Sequence, residues 1–370
     1  MIKKRNTIYA GRKKLLKRLV AVGTVVLSIA ALTACGGNTG SATSSEGSSV
    51  EASSAEAESL NVGVVSVSAR GAIPILADSL GYFKEEGLDV HFEHLNSVPD
   101  LVAALSAKSL DVITFAIVPE LNAISEGAEF TFIAGTGNAD EKLFVRKENA
   151  ETYADPANLK GATIGTTASS AAEAAILPKI EAAGLSYPGD IEFVQFADYP
   201  SISQAIAKGE VDAGFLTPDV SDAAETLGEV SVMSFEDSVC CRNTVRTETI
   251  ENDRSALVKY LISIIRAYDY YQTNHDGTLD ILSDYSSIDK ETLEGTLYAD
   301  GYISVDPNTS GILLSYEANG HLGKVGEIED LSSHIDASLF ADALSVLLER
   351  EPDNAVYQEL QEAFAKNNSK

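Results

Sequence analysis

The sequence has no tryptophan and only three cysteines among its 370 residues. Two of them, Cys240 and Cys241, are adjacent, so no set of separated cysteines is present from which a disulfide framework could be built. A bond between such neighbours would need a strained ring with an unusual peptide geometry. Hydrophobic residues make up 45% of the chain, which is enough for a sizeable core, and the length suits two domains.

Basic residues are also scarce, since 27 Lys and Arg stand against 55 Asp and Glu and give a net charge of −28. A surface this acidic repels a phosphate backbone, so we expect no nucleic-acid partner. Long apolar runs are lacking as well. The run from Leu19 to Leu32 is shorter than the roughly 20 residues of a membrane span, and no later segment is long and apolar enough either.

The first 34 residues have the order of a targeting segment. Their charged residues are all basic and precede the apolar run: Lys3, Lys4, Arg5, Arg12, Lys13, Lys14, Lys17 and Arg18. The run ends in Leu32-Thr33-Ala34-Cys35, which resembles the lipobox of bacterial lipoproteins. The resemblance implies cleavage before Cys35, acylation of its thiol, and anchoring to the membrane through the lipid. The alternative is an uncleaved signal anchor with a chance cysteine.

Small and acidic residues dominate 36–59, where Val50 is the only large aliphatic side chain. Such a stretch cannot bury enough apolar surface to fold, so we interpret 35–59 as the lipidated cysteine and a flexible tether, after a signal peptide at 1–34. These segments together predict a folded part held on the outer, extracytoplasmic face of the cell membrane.

A short unit occurs twice, as PDLVAALSAKSLD at Pro99–Asp111 and PSISQAIAKGEVD at Pro200–Asp212. Each copy reads as a helix with apolar residues four apart, followed by a buried strand start that Asp closes. Strand and helix patterns alternate around both copies, which favours parallel sheets covered by helices. After Cys240 the pattern becomes mostly helical.

We therefore predict an α/β fold of two similar lobes with mixed, mostly parallel sheets. A hinge that the chain crosses twice, near 137–144 and 234–242, would join the lobes, and a helical C-terminal tail would pack on lobe one. The expected boundaries are 60–143 with 241–370 for lobe one and 144–240 for lobe two.

Several motifs match one known family in order and spacing: GYFKEEGLDV at 81–90, Leu110-Asp111-Val112, DPANLKG at 155–161, and Gly209-Glu210-Val211-Asp212-Ala213. They resemble the substrate-binding lipoproteins of nitrate, sulfonate and taurine ABC importers. The same fold houses pyrimidine synthases and pyrimidine-binding proteins of thiamine metabolism. The resemblance implies a type 2 periplasmic-binding fold that closes on a small ligand and delivers it to an ABC permease and its ATPase.

The chain departs from that family at Leu216-Thr217-Pro218-Asp219, where Trp-Glu-Pro is frequent, so the resemblance does not name the ligand. Ligands of open α/β sheets bind outside the carboxyl ends of the strands. The candidate ligand contacts in the turns at those ends and near the second crossing are Ser66, Ser68, Arg70, Gly71, Ile117, Val118, Thr166, Thr167, Ser169, Ser170, Thr217, Asp219, Cys241 and Arg242.

The turn from Thr166 to Ser170 is the strongest candidate, because free N–H groups at the start of the following helix and several hydroxyls suit a small anion such as a sulfonate or nitrate. A plain helix cap is the alternative. Arg70 could pair with an anionic group, and Asp219 could bind an amine or cap its own helix. The Cys240–Arg242 segment would line the floor of the cleft, or its cysteines would be buried as small hydrophobes.

We expect a monomer that binds its ligand without catalysis and needs no cofactor. His91 and His94 are predicted on opposite faces of a strand, so we expect no metal site there. A pyrimidine synthase would call for a longer cysteine-rich run and an intracellular chain. A lipoprotein that senses a ligand without feeding an importer is a further alternative.

Overall fold

The computed structural model describes residues 58–64, 69–95, 98–139, 141–168, 170–235, 238–286, 288–298 and 303–369. The expected signal peptide, the lipidation site Cys35 and most of the tether lie outside these ranges, as do Ser66, Ser68 and Ser169. Within the described ranges no helix is both long enough and apolar enough to cross a membrane.

The strands of the described residues are short and spaced as the alternating pattern predicts. In chain order they are β1 (Glu58–Val64), β2 (Leu88–His94), β3 (Val112–Ala116), β4 (Phe130–Asn138), β5 (Lys142–Arg146), β6 (Thr163–Thr167), β7 (Glu192–Phe196), β8 (Ala213–Leu216), β9 (Glu229–Ser234) and β10 (Val239–Arg246).

The helices are α1 (Ala69–Ser79), α2 (Tyr82–Glu85), α3 (Val98–Ser106), α4 (Ile117–Ser125), α5 (Ala150–Tyr153), α6 (Ala172–Ala175), α7 (Leu177–Ala182), α8 (Tyr199–Lys208), α9 (Pro218–Thr226), α10 (Thr247–Thr273), α11 (His275–Ser286), α12 (Lys290–Leu297), α13 (Thr309–His321), α14 (Ser338–Arg350) and α15 (Ala355–Asn367). Short 3-10 turns occupy Lys147–Asn149, Pro156–Leu159 and Leu331–His334.

Two five-stranded sheets have the same strand order, β2-β1-β3-β10-β4 in lobe one and β7-β6-β8-β5-β9 in lobe two. In each sheet the first three strands pair in parallel, while the fourth is antiparallel to both of its neighbours. That fourth strand follows directly on a passage from the other lobe, through 139–141 before β5 and through 235–238 before β10. The two-lobed α/β fold with a doubly crossed hinge is confirmed.

The duplicated unit lies in equivalent places in the two lobes. Its helices are α3 and α8, and Leu101, Leu105 and Leu110 of the first copy are buried in the core on one face of the first sheet. The second copy forms the matching core of lobe two around Ile202 and Ile206. The repeat is therefore scaffold for the two sheets.

The ends of α8 show how the sequence sets its bounds. The Asp198 carboxylate accepts a hydrogen bond from the Ser201 N–H and so satisfies one of the unpaired donors at the helix start. Pro200 stands in the first turn, where its missing N–H costs nothing. Gly209 ends the helix with φ 74°, a left-handed conformation that glycine adopts without strain.

The C-terminal tail packs on lobe one as expected and also reaches lobe two. The long helix α10 has a non-helical residue at Asp253, after which one apolar face is buried, with Leu257, Leu261 and Ile265 in the lobe-one core. Helix α13 contacts both lobes, since its Ile312 belongs to a lobe-one core cluster and its Ala318 to a lobe-two cluster. Helix α12 also packs against α9 of lobe two. The tail is thus a third structural link between the lobes.

Candidate functional site

An interlobe cavity of about 280 Å³ lies at the carboxyl ends of the strands. Lobe one contributes the end of β3 and the start of α4, lobe two contributes the turn after β6, and β10 and α13 complete the wall. The lining residues are mostly apolar: Phe115, Ala116, Ile117, Val118, Pro119, Ala168, Ser170, Ala171, Val239, Cys240, Ser315, Asn319 and Lys324. A small, largely apolar pocket with a few polar groups is typical of a small-molecule site.

A larger hollow of about 430 Å³ lies at the opposite end of the lobe-one strands. It is open to solvent, and its two basic side chains are paired within the protein. Lys108 pairs with Glu248 at 2.7 Å, and Arg246 pairs with Asp111 at 3.1 Å. The smaller interlobe cavity is therefore the better candidate, since it is less open to solvent and lies where ligands of this architecture bind.

Two of the predicted turns meet across the interlobe cavity. Ile117 and Val118 of lobe one and Ser170 of lobe two all line it. The strand equivalent to β3 is β8, because each is third in its sheet, whereas β6 is second and lies beside β8. The turn after β3 thus meets the turn after β6 at the cavity. Thr217 of the next turn is not among the lining residues, and its buried Oγ1 has no hydrogen-bond partner among the residues that the structure describes.

The lobe-two turn does not offer a vacant helix start to a ligand. Helix α6 has only four residues, and the N–H of Ala171 before it donates to Glu141 Oε1 at 3.1 Å. The hydroxyl of Tyr199 donates to the same oxygen at 3.1 Å. Burial raises the pKa of Glu141, and the hydrogen bonds from Tyr199 and Ala171 oppose that rise. A carboxylate of the protein thus occupies the backbone donor that the sequence pattern assigned to an anionic ligand.

The Thr166 hydroxyl is likewise engaged inside the protein. It is fully buried and donates to Glu173 Oε2 at 3.2 Å. The ammonium of Lys324 lies 2.9 Å from the same oxygen, and Gln195 Nε2 donates to it at 3.4 Å. Glu173 therefore accepts the Thr166 hydroxyl that the sequence pattern assigned to the ligand.

Lys324 is the only charged residue on the described wall of the interlobe cavity, and the sequence reasoning missed it. Its carbonyl accepts a hydrogen bond from Asn122 Nδ2 of α4 at 2.9 Å, while its side chain pairs with Glu173 of lobe two. Lys324 thus connects both lobes at the cavity. It lies 151 positions from Glu173, and no local motif marks it.

The segment Cys240–Arg242 belongs to a strand, β10, and lies at the cavity only in part. Cys240 lines the cavity, whereas Cys241 is fully buried. Arg242 is also fully buried, and its Nη1 donates to the carbonyls of Gly137 at 3.1 Å and Cys241 at 2.6 Å. Its Nε and Nη2 have no hydrogen-bond partner in the described part of the chain.

Charges around Arg242 partly compensate its burial. Burial lowers the pKa of the guanidinium to about 10, against the opposing effects of Asp306, the two thiols and Glu120. Glu120 of α4 accepts a hydrogen bond from Thr244 Oγ1 at 2.9 Å, and burial raises its pKa well above the ordinary value. Arg242 does not line the cavity but lies two residues beyond Cys240 on the same strand.

The other predicted contacts are placed only in part. Gly71 is buried in α1, and Thr167 is buried at the end of β6. The structure does not describe the side chains of Arg70 and Asp219. His91 lies beside Asp89 at 3.5 Å, and His94 contacts the hydroxyl of Tyr285 at 2.7 Å. Among the described residues no cluster of His, Cys, Asp or Glu is arranged to hold a metal ion.

The sequence profile of the NMT1/THI5-like family matches residues 71–276, which is more than half of the chain. The chain belongs to this family. No curated protein sequence matches it. The match includes both copies of the duplicated unit and both crossings between the lobes, so the family resemblance that the motifs indicated is confirmed.

Solved structures show the same fold at low sequence identity. The periplasmic aliphatic sulphonate binding protein SsuA of Escherichia coli has a TM-score of 0.60 and 17% identity over 75% of this chain and 92% of its own. The periplasmic nitrate-binding protein NrtA of Synechocystis has a TM-score of 0.58 and 13% identity over 79% and 89%. The desulfurization enzyme DSZB has a TM-score of 0.52 and 15% identity over 78% and 99%. The likeness establishes a periplasmic-binding fold, which one enzyme shares.

Proposed function

We propose that this NMT1/THI5-like protein is an extracytoplasmic solute-binding lipoprotein. It captures a small organic molecule in the interlobe cavity and delivers it to an ABC importer. The observation that carries the proposal is the enclosed, largely apolar cavity that both lobes and the second crossing strand line together. A site shared between two hinged lobes is suited to closure around a ligand.

The wall of the cavity favours an apolar body with one anionic group, such as an organic sulfonate. Phe115, Ile117 and Val239 supply apolar surface, and Lys324 supplies the positive charge. The anion would bind the Lys324 ammonium beside Glu173 or displace Glu173 from it. A bare nitrate ion would leave most of the apolar wall without a contact, so nitrate is a weaker candidate ligand than an organic anion.

A second ligand class, an uncharged heterocycle such as a pyrimidine, is favoured by a different observation. The two groups best suited to an anion are already paired inside the protein, Lys324 with Glu173 and the Ala171 N–H with Glu141. An uncharged ligand could bind through Ser170, Ser315 or Asn319 without breaking either pair.

Calorimetric titration of two variants with alkanesulfonates, nitrate and uncharged pyrimidines separates the two classes. If the ligand is an organic anion, Lys324→Met weakens sulfonate binding by about tenfold or more, because its charge-assisted hydrogen bond is lost. Glu173→Gln strengthens sulfonate binding, because it removes the competing carboxylate. The exposed Lys366→Met serves as the matched control and leaves affinity unchanged.

Other outcomes decide against parts of the proposal. Pyrimidine binding that Lys324→Met does not alter, with no sulfonate binding, would assign the cavity to uncharged ligands. If no small molecule binds to the folded wild-type protein, the binding function itself is wrong. The turns at Ser66–Gly71 and Thr217–Asp219 remain proposed contacts, for which alanine substitutions in the same titrations provide the test.

We infer transport rather than catalysis from the targeting segment and tether, which would hold the folded part outside the cytoplasm. The DSZB structure shows that this fold also supports an enzyme, and a sensor lipoprotein would bind ligand in the same way. Ligand uptake by cells distinguishes these functions. Deletion of the protein abolishes uptake of its ligand if it serves an importer, and leaves uptake unchanged if it is a sensor.

Lipid anchoring depends on Cys35 alone. The variant Cys35→Ser lacks the thiol that acylation requires, so we expect the protein to leave the membrane fraction. Cys240→Ser is the control and stays with the membrane. Retention of Cys35→Ser in the membrane fraction would favour an uncleaved signal anchor instead.

A further inference from the structure

We propose that Cys240 and Cys241 form a vicinal dithiol that is oxidised reversibly to a disulfide on the wall of the interlobe cavity. Their Sγ atoms lie 2.7 Å apart, against about 2.05 Å for a covalent S–S bond. Both thiols are buried, and Cys240 borders the cavity. The oxidation itself does not depend on the proposed transport function.

The backbone of β10 explains how two neighbouring side chains come together. In a regular strand successive side chains point to opposite faces of the sheet, which would separate the two thiols. The pairing of β10 with β4 is irregular at this place, with register shifts between Val239 and Cys241 and between Cys241 and Arg242. Such bulges redirect side chains and often occur next to functional sites. The irregular backbone and the short sulfur–sulfur distance are two separate observations that point to the same pair.

The surroundings favour reaction of this pair. The guanidinium of Arg242 follows directly in sequence, and its positive charge interacts with both thiols. A nearby cation favours the thiolate, which is the reactive form of cysteine. Cys240 is 8% exposed at the cavity and Cys241 is 0% exposed, so a reagent in the cavity meets Cys240 first.

The reaction that follows is thiol–disulfide exchange with a small-molecule disulfide as oxidant. The Cys240 thiolate attacks one sulfur of the reagent, forms a mixed disulfide and releases one small thiolate. The Cys241 thiolate then attacks the Cys240 sulfur, closes the ring and releases the second small thiolate. The two cysteine protons leave with the two small thiols, so two thiols of the protein are oxidised while one reagent disulfide is reduced to two thiols.

Ring closure would change the cavity wall. Adjacent Cα atoms lie about 3.8 Å apart across a trans peptide, below the usual range of about 4.4–6.8 Å for disulfides, so the peptide between the cysteines must distort. The Cys241 carbonyl accepts a hydrogen bond from Arg242, which also bonds to Gly137 of β4. We therefore expect oxidation to alter ligand affinity; this last step rests on the proposed function.

The test uses the full chain carrying Cys35→Ser, so that only this pair of thiols remains. The folded protein is incubated with bis(2-hydroxyethyl) disulfide and followed by intact mass and by a thiol count. We expect a loss of two hydrogen atoms in mass and of both thiols, with full recovery on addition of dithiothreitol. With the further change Cys241→Ser, a mixed disulfide should accumulate on Cys240. With Cys240→Ser in its place, the reaction should be at least tenfold slower, because Cys241 is buried.

Three results would overturn the proposal: two separate adducts on the protein, a stable mixed disulfide with both cysteines present, or no reaction before denaturation. Calorimetry with an alkanesulfonate or pyrimidine that binds the reduced protein then tests the link to the cavity. A ring that forms without changing that affinity would refute the link alone. A failure of every small molecule to bind would count against the proposed function and leave the redox result standing.

Discussion

Asp212 makes in lobe two the hydrogen bond that Asp111 makes in lobe one. The Asp111 carboxylate accepts the backbone N–H of Asn61 on β1 at 2.9 Å, and the Asp212 carboxylate accepts that of Thr163 on β6 at 2.9 Å. The backbone N–H of each aspartate donates in return to the carbonyl of the same partner, at 2.8 and 3.0 Å. The closing Asp of the duplicated unit therefore ties the segment before β3 to β1 and the segment before β8 to β6.

Asp212→Ala should lower the free energy of unfolding by about 1–3 kcal/mol, because it leaves the N–H and hydroxyl of Thr163 without their acceptor. Asp111→Ala should cost more, since it also removes one of the two carboxylates that pair with the mostly buried Arg246. Urea denaturation measures both changes. The exposed Asp222→Ala is the control, and equal effects at Asp212 and Asp222 would contradict the structural role.

A pair of glycines is also equivalent in the two lobes. A Cβ atom on Gly63 of β1 would lie 2.7 Å from Leu101 Cδ2, and one on Gly165 of β6 would lie 2.8 Å from Ile202 Cγ2. Leu101 and Ile202 occupy the same position in the two copies of the repeat. A residue without a side chain is thus needed where β1 packs against α3 and where β6 packs against α8.

We expect Gly63→Ala to destabilise the protein by about 1–3 kcal/mol through overpacking, because its Cβ would also come within 2.4 Å of Leu110. Gly295→Ala is the matched control. That glycine lies inside α12, and outside its own helix backbone no atom of the described residues lies within 4 Å of an added Cβ, so alanine should stabilise the protein by about 0.5–1 kcal/mol. Thermal unfolding shows which substitution lowers the stability and which raises it. An unchanged stability of Gly63→Ala would contradict the close packing.

Glu229 makes stability depend on pH. It is buried, and burial raises its pKa from 4.5 to about 7, although Ser203 Oγ donates to it at 3.1 Å. The folded state therefore binds a proton more tightly than the unfolded chain. Stability should fall as the pH rises from about 4.5 to about 7 and level off above that range. Glu120 and Glu141 act in the same direction, since burial raises their pKa values too.

Glu229→Gln should remove part of this fall and stabilise the protein at alkaline pH by on the order of 1–3 kcal/mol. Urea denaturation across the pH range provides the measurement. The exposed Glu225→Gln should leave the profile unchanged. If the free energies of unfolding of Glu229→Gln and wild type fall in parallel as the pH rises, Glu229 is not a source of the pH dependence.

Filling the interlobe cavity should abolish binding without unfolding the protein. Ser315 lies on the cavity-facing side of α13, so Ser315→Phe would occupy space that the ligand needs. Glu317→Phe places the same side chain on the exposed side of α13 and should leave binding intact. Calorimetry with the compound that wild type binds measures both, and circular dichroism reports the fold. Normal binding by Ser315→Phe would place the ligand elsewhere.

The fold was predictable because its signals are local or recur at a constant offset along the chain. Periodic apolar residues define α3 and α8, and the offset between Asp111 and Asp212 reveals the duplication. The site was predictable only as a set of turns. Ile117, Val118 and Ser170 do meet at the cavity, because the turns after β3 and β6 lie at the carboxyl ends of their strands.

The contacts within the site could not be derived from the sequence. Glu141 and Lys324 reach the lobe-two turn from distant parts of the chain, and neither belongs to a recognisable motif. The short length of α6 and the inward direction of Thr166 depend on packing around Glu173. The irregular pairing of β10, which brings the two cysteines together, depends on its partner strand.

The position of α13 has a kinetic consequence. Its first residue, Thr309, is held by Asn368 at the end of α15, and Lys324 beyond its last turn is held by Asn122 of lobe one. We therefore expect α13 to stay with lobe one when the cleft opens, which would expose Ala318 and break the pair between Lys324 and Glu173. Both losses favour the closed form of the empty protein. Ligand capture would then be limited by how often lobe two separates from α13, and not by the rate at which molecules diffuse to the cleft.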